Sequence, residues 1–179
     1  MTVTAQTQPL VGYREDAARL LYESLKAHGV NFAVFLPDTV LHVVDKLLLA
    51  DPEVQSIVCS REDEGIGIAM GAFWAGKKPV MLMEGSGYGL SGLILARGIV
   101  QRSPLLIISS HNSVLGERFN YHAATRLVAQ PTLDALRIPY HVLRDMDEIP
   151  TVVREMLHTI AGQRTPAAIL VPRRVLIAG

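Results

Sequence analysis

Cysteine is almost absent from this sequence, and it has neither a long uninterrupted apolar segment nor an excess of charge of one sign. The single cysteine, Cys59, cannot form an internal disulfide, which is typical of a protein of the reducing cytoplasm. Seventeen basic and seventeen acidic residues balance, so no charged field attracts nucleic acid or a membrane surface. The most apolar stretch, about 90–108, is interrupted by Arg97 and Arg102, and residues 1–10 lack the parts of a signal peptide. We therefore expect a cytoplasmic protein with no membrane or nucleic-acid partner.

Apolar residues, in contrast, are abundant. The chain has 179 residues, the size of one ordinary domain, and 49% of them are hydrophobic. Surplus apolar surface on a domain of this size is usually covered by another subunit. We interpret residues 1–179 as one domain with a core from about 12 to 174, and we expect it to assemble with another chain.

Strand-like and helix-like segments alternate along the chain. Short apolar runs that favour strands lie at 31–36, 54–58, 79–83, 104–109, 139–143 and 166–171. Apolar residues at helical spacing favour helices at 14–28, 39–49, 62–75, 87–101, 131–136 and 147–161. Residues 110–130 are polar and show no clear period. The alternation predicts an α/β fold, a doubly wound six-stranded parallel sheet with helices on both faces.

Most of the unusual polar chemistry follows the strands. In such sheets, ligands bind beyond the carboxyl ends of the strands. The segments expected there are Pro37-Asp38, Arg61-Glu62, residues 84–89, and the chain from Ser110 onward. Their convergence on one edge predicts a functional site there.

Three consecutive acids, Glu62, Asp63 and Glu64, precede an apolar helix rich in glycine and alanine. Successive helix residues point about 100° apart, so the three carboxylates cannot serve one partner. One interpretation is that all three complement the helix dipole. The other is that one of them holds a fixed proton partner in a water-poor site, and the residues alone leave both open.

A glycine-rich turn follows the third predicted strand. Residues 87–92 fit the spacing Gly-x-Gly-x-x-Gly, which also occurs in dinucleotide-binding proteins. No acidic residue ends the next strand to hold a ribose, and neither a Walker lysine nor a Gly-x-Ser-x-Gly elbow is present. We therefore favour glycines that let the backbone pass close to a flat ligand or a neighbouring chain.

Two histidines and two arginines lie in the aperiodic stretch, namely His111, Arg118, His122 and Arg126. They could belong to a solvated loop, or they could bind an anion and transfer protons near neutral pH. Paired cysteines and His-x-x-x-His are absent, so the sequence predicts no metal ligands.

With these segments placed, the chain resembles the pyrimidine-binding domain of thiamine-diphosphate-dependent decarboxylases of the sulfopyruvate and phosphonopyruvate type, over about Val30 to Arg173. Residues 35–41 (FLPDTVL) are similar to the family's Val-Pro-Asp-Ser-Leu-Leu element, and 61–71 (REDEGIGIAMG) to its catalytic-glutamate helix. Residues 83–89 (MEGSGYG) resemble its Met-Gln-x-Ser-Gly-Leu-Gly turn, and Ser110-His111 its Ser-His after the next strand. In place of the asparagine that often follows that turn, this chain has Leu90-Ser91.

The resemblance implies an activity and a set of site residues. It implies that Glu62, with Glu64 as runner-up, hydrogen-bonds the aminopyrimidine of thiamine diphosphate, and that His111 also takes part in catalysis. The implied cofactor contacts are Pro37, Asp38, Glu62, Gly85, Ser86, Gly87 and Tyr88. The implied substrate contacts are Asp38, Arg118 and His122.

The resemblance also implies a partner. In the family, the diphosphate and its magnesium bind another domain through a Gly-Asp-Gly…Asn motif, which this sequence lacks. We therefore expect an alpha subunit that shares the cofactor with a beta subunit carrying that domain and the magnesium. The expected reaction is decarboxylation of a small 2-oxo acid, sulfopyruvate to sulfoacetaldehyde in first place. Phosphonopyruvate or another 2-oxo acid, and a non-catalytic subunit of the same fold, are the alternatives.

Overall fold

The computed structural model describes residues 12–112, 115, 117 and 119–178. These residues form six strands: β1 (Phe32–Phe35), β2 (Gln55–Val58), β3 (Pro79–Glu84), β4 (Leu105–His111), β5 (Tyr140–Val142) and β6 (Pro166–Pro172). Seven α-helices accompany them: α1 (Glu15–Ala27), α2 (His42–Ala50), α3 (Glu62–Trp74), α4 (Gly87–Val100), α5 (Ala123–Ala135), α6 (Ile149–Gln163) and α7 (Arg173–Leu176). A 3₁₀ turn, Asn120–His122, precedes α5.

The strands form one all-parallel sheet in the order β2-β1-β3-β4-β6-β5. The central strands are apolar up to their carboxyl ends because helices cover them on both faces, and β4 and β6 are buried along their whole length. Two hydrophobic cores result, one on each face of the sheet. Buried residues of α1, α2 and α6 build the first core, and those of α3, α4 and α5 build the second. The predicted doubly wound α/β fold is thus confirmed.

The expectation of an aperiodic segment at 110–130 is wrong for much of that range. Strand β4 continues to His111, and α5 begins at Ala123 and passes through Pro131. A proline lacks the N–H that an interior helical residue donates, so the sequence pattern favours a helix that starts at Pro131. Thr125, Ala129 and Leu133 are buried at four-residue spacing, and this packed stripe carries the helix past the proline.

None of the helices in the part of the chain that the structure describes is long and apolar enough to cross a membrane.

Candidate functional site

Four segments meet at the edge of the sheet where the parallel strands end. Leu36 to Asp38 follow β1, residues 59–62 follow β2, Gly85-Ser86 follow β3, and Asn112 follows β4. The side chain of Asp38 spans from the end of β1 to the end of β4, because Ser110 Oγ donates a hydrogen bond of 3.1 Å to Asp38 Oδ2. The predicted convergence of these segments is therefore present in the structure.

The three acids at the start of α3 have different surroundings. Asp63 accepts two hydrogen bonds of 3.0 Å from the Arg61 guanidinium. Glu64 Oε2 accepts a hydrogen bond of 3.0 Å from the backbone N–H of Ser60. The half-buried Glu62 carboxylate has no hydrogen-bond or ion-pair partner among the described residues. Glu62 is therefore the one of the three whose carboxylate is available to bind a ligand.

Gly87, the first residue of α4, packs directly on the Glu62 side chain. A Cβ atom placed on Gly87 would lie 2.4 Å from Glu62 Cγ and 2.8 Å from Glu62 Cβ, closer than real Cβ contacts. The N-terminal ends of α3 and α4 therefore meet at this carboxylate, and the positive ends of both helix dipoles lie beside it. This contact requires glycine at position 87 for steric reasons.

Asp38 fixes the turn between β1 and α2. Asp38 Oδ1 accepts hydrogen bonds from the backbone N–H groups of Val40 at 2.8 Å and Leu41 at 3.2 Å. Burial raises the pKa of Asp38 above its usual value, the three hydrogen bonds oppose that rise, and the nearby Glu84 carboxylate adds to it. Asp38 is thus a desolvated carboxyl group at the site edge.

Sequence reasoning assigned no role to Glu84, which connects three elements. Its carboxylate accepts hydrogen bonds from the Ser86 backbone N–H at 2.6 Å, Asn112 Nδ2 at 3.1 Å and Thr125 Oγ1 at 2.8 Å. These donors belong to the turn before α4, the end of β4 and helix α5. An acidic residue at the end of an otherwise apolar strand was the signal that could have identified it.

We expect Glu84→Ala to lower the free energy of unfolding by about 2–4 kcal/mol, because it leaves the buried Thr125 and Asn112 donors unpaired. Chemical denaturation of the purified chain measures this. The matched control is Glu53→Ala, which removes an exposed carboxylate from an ion pair with Lys26 at 3.1 Å and should change stability by about 1 kcal/mol or less. Equal losses in the two variants would contradict the structural role of Glu84.

His111 ends β4 and is buried, and its Nδ1 has no hydrogen-bond partner among the described residues. Burial lowers the pKa of His111, and the positive charge of Arg174 lowers it further, while a hydrogen bond with Gln130 and the charge of Glu84 oppose the shift. The imidazole is therefore mainly neutral near pH 7.

The other sequence-predicted residues lie as follows. Pro37 and Ser86 are exposed at the edge, and Gly85 is covered by the end of β4, since a Cβ on it would lie 2.5 Å from the Ser110 carbonyl oxygen. The Tyr88 side chain is fully buried beneath the site, with its hydroxyl 3.3 Å from Ser109 Oγ, so only its backbone is placed to touch a ligand.

Of the residues predicted to bind substrate after β4, His122 is half-buried and its Nδ1 lies 2.8 Å from Glu117 Oε2. The ring of Tyr121 packs edge-on against its imidazole at 4.4 Å between centroids. Arg126 is exposed on α5. Arg118 lies outside the described residues. Among the residues that the structure does describe, no group of three or more His, Cys, Asp or Glu side chains could hold a metal ion.

Comparison with known families gives one match over most of the chain. A family model described as "Thiamine pyrophosphate enzyme, N-terminal TPP binding domain" matches residues 15–138. This range includes the turn of Asp38, the start of α3, the glycine-rich turn and His111.

Individual proteins similar to the chain include alpha subunits of sulfopyruvate decarboxylase. That of Methanococcus maripaludis is 30% identical over 87% of this chain and 93% of its own length. That of Methanothermobacter thermautotrophicus is 32% identical over 87% of this chain and 94% of its own. The sulfopyruvate decarboxylase of Methanosarcina acetivorans is 24% identical over 84% of this chain but only 39% of its own length.

Two solved structures share the fold. A 2-oxoglutarate:ferredoxin oxidoreductase from Magnetococcus marinus superposes with a TM-score of 0.67 at 17% identity over 88% of this chain. A thiamine diphosphate-dependent 4-hydroxybenzoylformate decarboxylase from Rhodococcus jostii RHA1 gives a TM-score of 0.65 at 15% identity, also over 88%. This chain spans 28% and 30% of those two chains. At these identities the likeness is one of fold alone.

Proposed function

This chain belongs to the thiamine pyrophosphate enzyme family, as the N-terminal TPP-binding domain, and we propose that it is the alpha subunit of a two-chain decarboxylase. Its substrate is a small 2-oxo acid, sulfopyruvate in first place, which yields sulfoacetaldehyde and carbon dioxide. The names of its relatives support this assignment, since those that match over 80% or more of their own length are alpha subunits of sulfopyruvate decarboxylase.

The observation that carries the proposal is the state of Glu62. Its two acidic neighbours are occupied by Arg61 and by the Ser60 N–H, whereas Glu62 has no described partner and packs on Gly87. A carboxylate left without a donor at the junction of two helix N-termini suits a ligand that brings its own N–H or ring nitrogen. This favours Glu62 over Glu64 as the residue that holds the cofactor.

The residues at this edge fit the pyrimidine end of thiamine diphosphate. Glu62 offers an acceptor, the Gly85–Gly87 backbone is closely packed without side chains, and Ile66, one helical turn after Glu62, is fully buried. When bound, thiamine diphosphate supplies the electron sink that lets a 2-oxo acid lose carbon dioxide. Glu62 would hold a strong hydrogen bond to the aminopyrimidine, because partial desolvation strengthens bonds to a charged acceptor.

Two further side chains act on the substrate side in this proposal. Asp38 lies at the ends of β1 and β4, where its hydrogen bonds from Val40, Leu41 and Ser110 hold it in one orientation. His111 Nδ1 has no partner among the described residues and its ring is mainly neutral, so it can hold or move a proton at that nitrogen. Arg118 and His122 remain the proposed substrate contacts of the segment that follows.

A partner chain completes the site in this proposal. The relatives that match along most of their length are named as subunits, while the longer Methanosarcina acetivorans protein is more than twice the matched length. We infer that a beta subunit carries the diphosphate-binding domain and the magnesium, and that the cofactor lies between the two chains.

The test is reconstitution. We expect neither chain alone to decarboxylate sulfopyruvate and the assembled pair to do so, with kcat/KM higher for sulfopyruvate and phosphonopyruvate than for pyruvate or phenylpyruvate. A guanidinium can bind a sulfonate or phosphonate through two parallel hydrogen bonds, and Arg118 is the proposed donor. Carbon dioxide release by each chain and by the mixture measures this. Full activity of the alpha chain alone would contradict the two-chain proposal, and a preference for phenylpyruvate would contradict the anionic substrate.

A further inference from the structure

Asp45 is a buried acid directly behind the turn of Asp38. It lies in the first turn of α2, is 6% exposed, and has the buried apolar residues Val44 and Leu48 as helical neighbours. The backbone N–H of Asp38 opposes the rise in the pKa of Asp45, and the Asp45 N–H donates a hydrogen bond of 3.0 Å to the carbonyl oxygen of Leu41 in the same turn. Asp45 therefore contacts the site turn from inside the core without reaching the site edge itself.

One oxygen of the Asp45 carboxyl group, Oδ1, is buried and has no hydrogen-bond partner among the described residues. An ionised oxygen in that position would lose its hydration without compensation, whereas a protonated carboxyl group loses much less. Burial, with the charge of Asp38 as the next contribution, raises the pKa of Asp45 to about 8.

Asp38 is the better place for a negative charge. It accepts hydrogen bonds from Val40 N, Leu41 N and Ser110 Oγ, which all favour its anion. At Asp45, only the Asp38 backbone N–H favours the anion, and Oδ1 has no donor among the described residues. The charge of Asp38 acts on Asp45, and the charge of Glu84 acts on Asp38. Two negative charges so close together in the core would oppose each other.

We propose that Asp45 carries a proton in the native protein and is a positioning residue, holding the Pro37-Asp38 turn while the pair keeps one negative charge on Asp38. The effect of Asp45 on turnover rests on the proposed function. The protonation of Asp45 is independent of that function. Asp45 touches neither substrate nor cofactor in this proposal and acts through Asp38.

The proton is tested on the purified full chain by unfolding at several pH values. An unfolded aspartate releases its proton near pH 4, whereas native Asp45 would keep it to about pH 8. The contribution of Asp45 to the free energy of unfolding is therefore fully present below pH 4 and is lost as the pH rises to about 8. The unfolding constant of the wild type, divided by that of Asp45→Asn, should therefore rise by up to about tenfold per pH unit in that window.

Asp51→Asn, at the C-terminal end of the same helix, is the matched control. The hydrogen bond from Lys26 lowers the pKa of Asp51, so its stabilisation is present above pH 4 and is lost only in acid. The unfolding constant of the wild type, divided by that of Asp51→Asn, should thus stay constant between pH 5 and 8. If the corresponding ratio for Asp45→Asn is also constant, the proposed protonation of Asp45 is wrong.

The positioning role is tested in the assembled enzyme by the pH profile of kcat/KM. The amide side chain of the Asp45→Asn variant keeps an oxygen that can accept the Asp38 N–H, whereas Asp45→Ala removes it. At pH 7 we expect kcat/KM of Asp45→Asn to be about tenfold higher than that of Asp45→Ala. Above pH 8 we expect the wild type to lose activity, whereas Asp45→Asn keeps it. Equal activities and identical profiles would overturn the role. An enzyme inactive on every 2-oxo acid would refute the proposed function instead and leave the unfolding test standing.

Discussion

Replacing Glu62 by glutamine should lower kcat of the assembled enzyme by about 100-fold or more, equivalent to about 2.7 kcal/mol of activation free energy. The glutamine side chain keeps the shape of the glutamate but replaces a charge-assisted hydrogen bond by a neutral one. Because Glu62 has no described partner to lose, the fold should be unaffected. Steady-state rates at saturating cofactor and substrate measure the effect.

The neighbouring acids provide matched controls in the same helical turn. Glu64→Gln removes a carboxylate that accepts the Ser60 N–H, and Asp63→Asn removes one that is bound to Arg61. Both changes affect local pairing at the start of α3, so we expect kcat to fall by much less than in Glu62→Gln. A larger loss in Glu64→Gln would show that the register of the catalytic glutamate is displaced by two residues.

The alternation of apolar strands and helices was enough to predict the sheet, because helices that cover both faces force apolar residues along most of each strand. Strands β3, β4 and β6 show this pattern in the sequence, and they lie in the interior of the sheet. The site edge followed from the same reasoning, since parallel strands end on one side. Asp38 and Ser110 lie close together because β1 and β4 end at the same edge of the sheet, and this arrangement can be predicted from the sequence.

Side-chain pairing could not be predicted in the same way. Nothing in the order of residues distinguishes Glu62 from Asp63 and Glu64, and only the geometry shows which of them are already bonded. The hydrogen bond between Glu84 and Thr125 joins residues 41 positions apart in sequence. Asp45 Oδ1 has no donor among the described residues because of how α2 packs in the core beside α1 and β2. These features arise from tertiary contacts, which local patterns do not encode.

Helix α5 shows the opposite limitation, in which a strong local signal misleads. Pro131 favours a helix start, but the buried stripe of Thr125, Ala129 and Leu133 stabilises a helix that begins eight residues earlier. Tertiary burial of this stripe outweighs the loss of one backbone hydrogen bond. The predicted substrate residue His122 consequently lies directly before a helix.

Gly87→Ala should lower kcat by about 10- to 100-fold while leaving the protein folded, and this result would link the glycine-rich turn to Glu62. The new Cβ would lie within 3 Å of Cβ, Cγ and Cδ of Glu62. Glu62 Cβ is fixed to the backbone, so the side chain cannot avoid the methyl group by moving its far end alone. The carboxylate must be displaced from the position in which it would hold the cofactor.

Gly92→Ala is the control on the same helix, since a Cβ at position 92 meets nothing within 4 Å. Alanine favours a helix interior over glycine by about 1 kcal/mol. Gly92→Ala gains this stability without a clash, whereas Gly87→Ala changes the first helical residue and meets Glu62. The two effects are separated by combining Gly87→Ala with Glu62→Gln. If the methyl group acts through Glu62, the double variant should be about as slow as Glu62→Gln alone, because two changes at one contact are not additive. Multiplied losses in the double variant would show instead that Gly87 affects turnover by a route independent of Glu62.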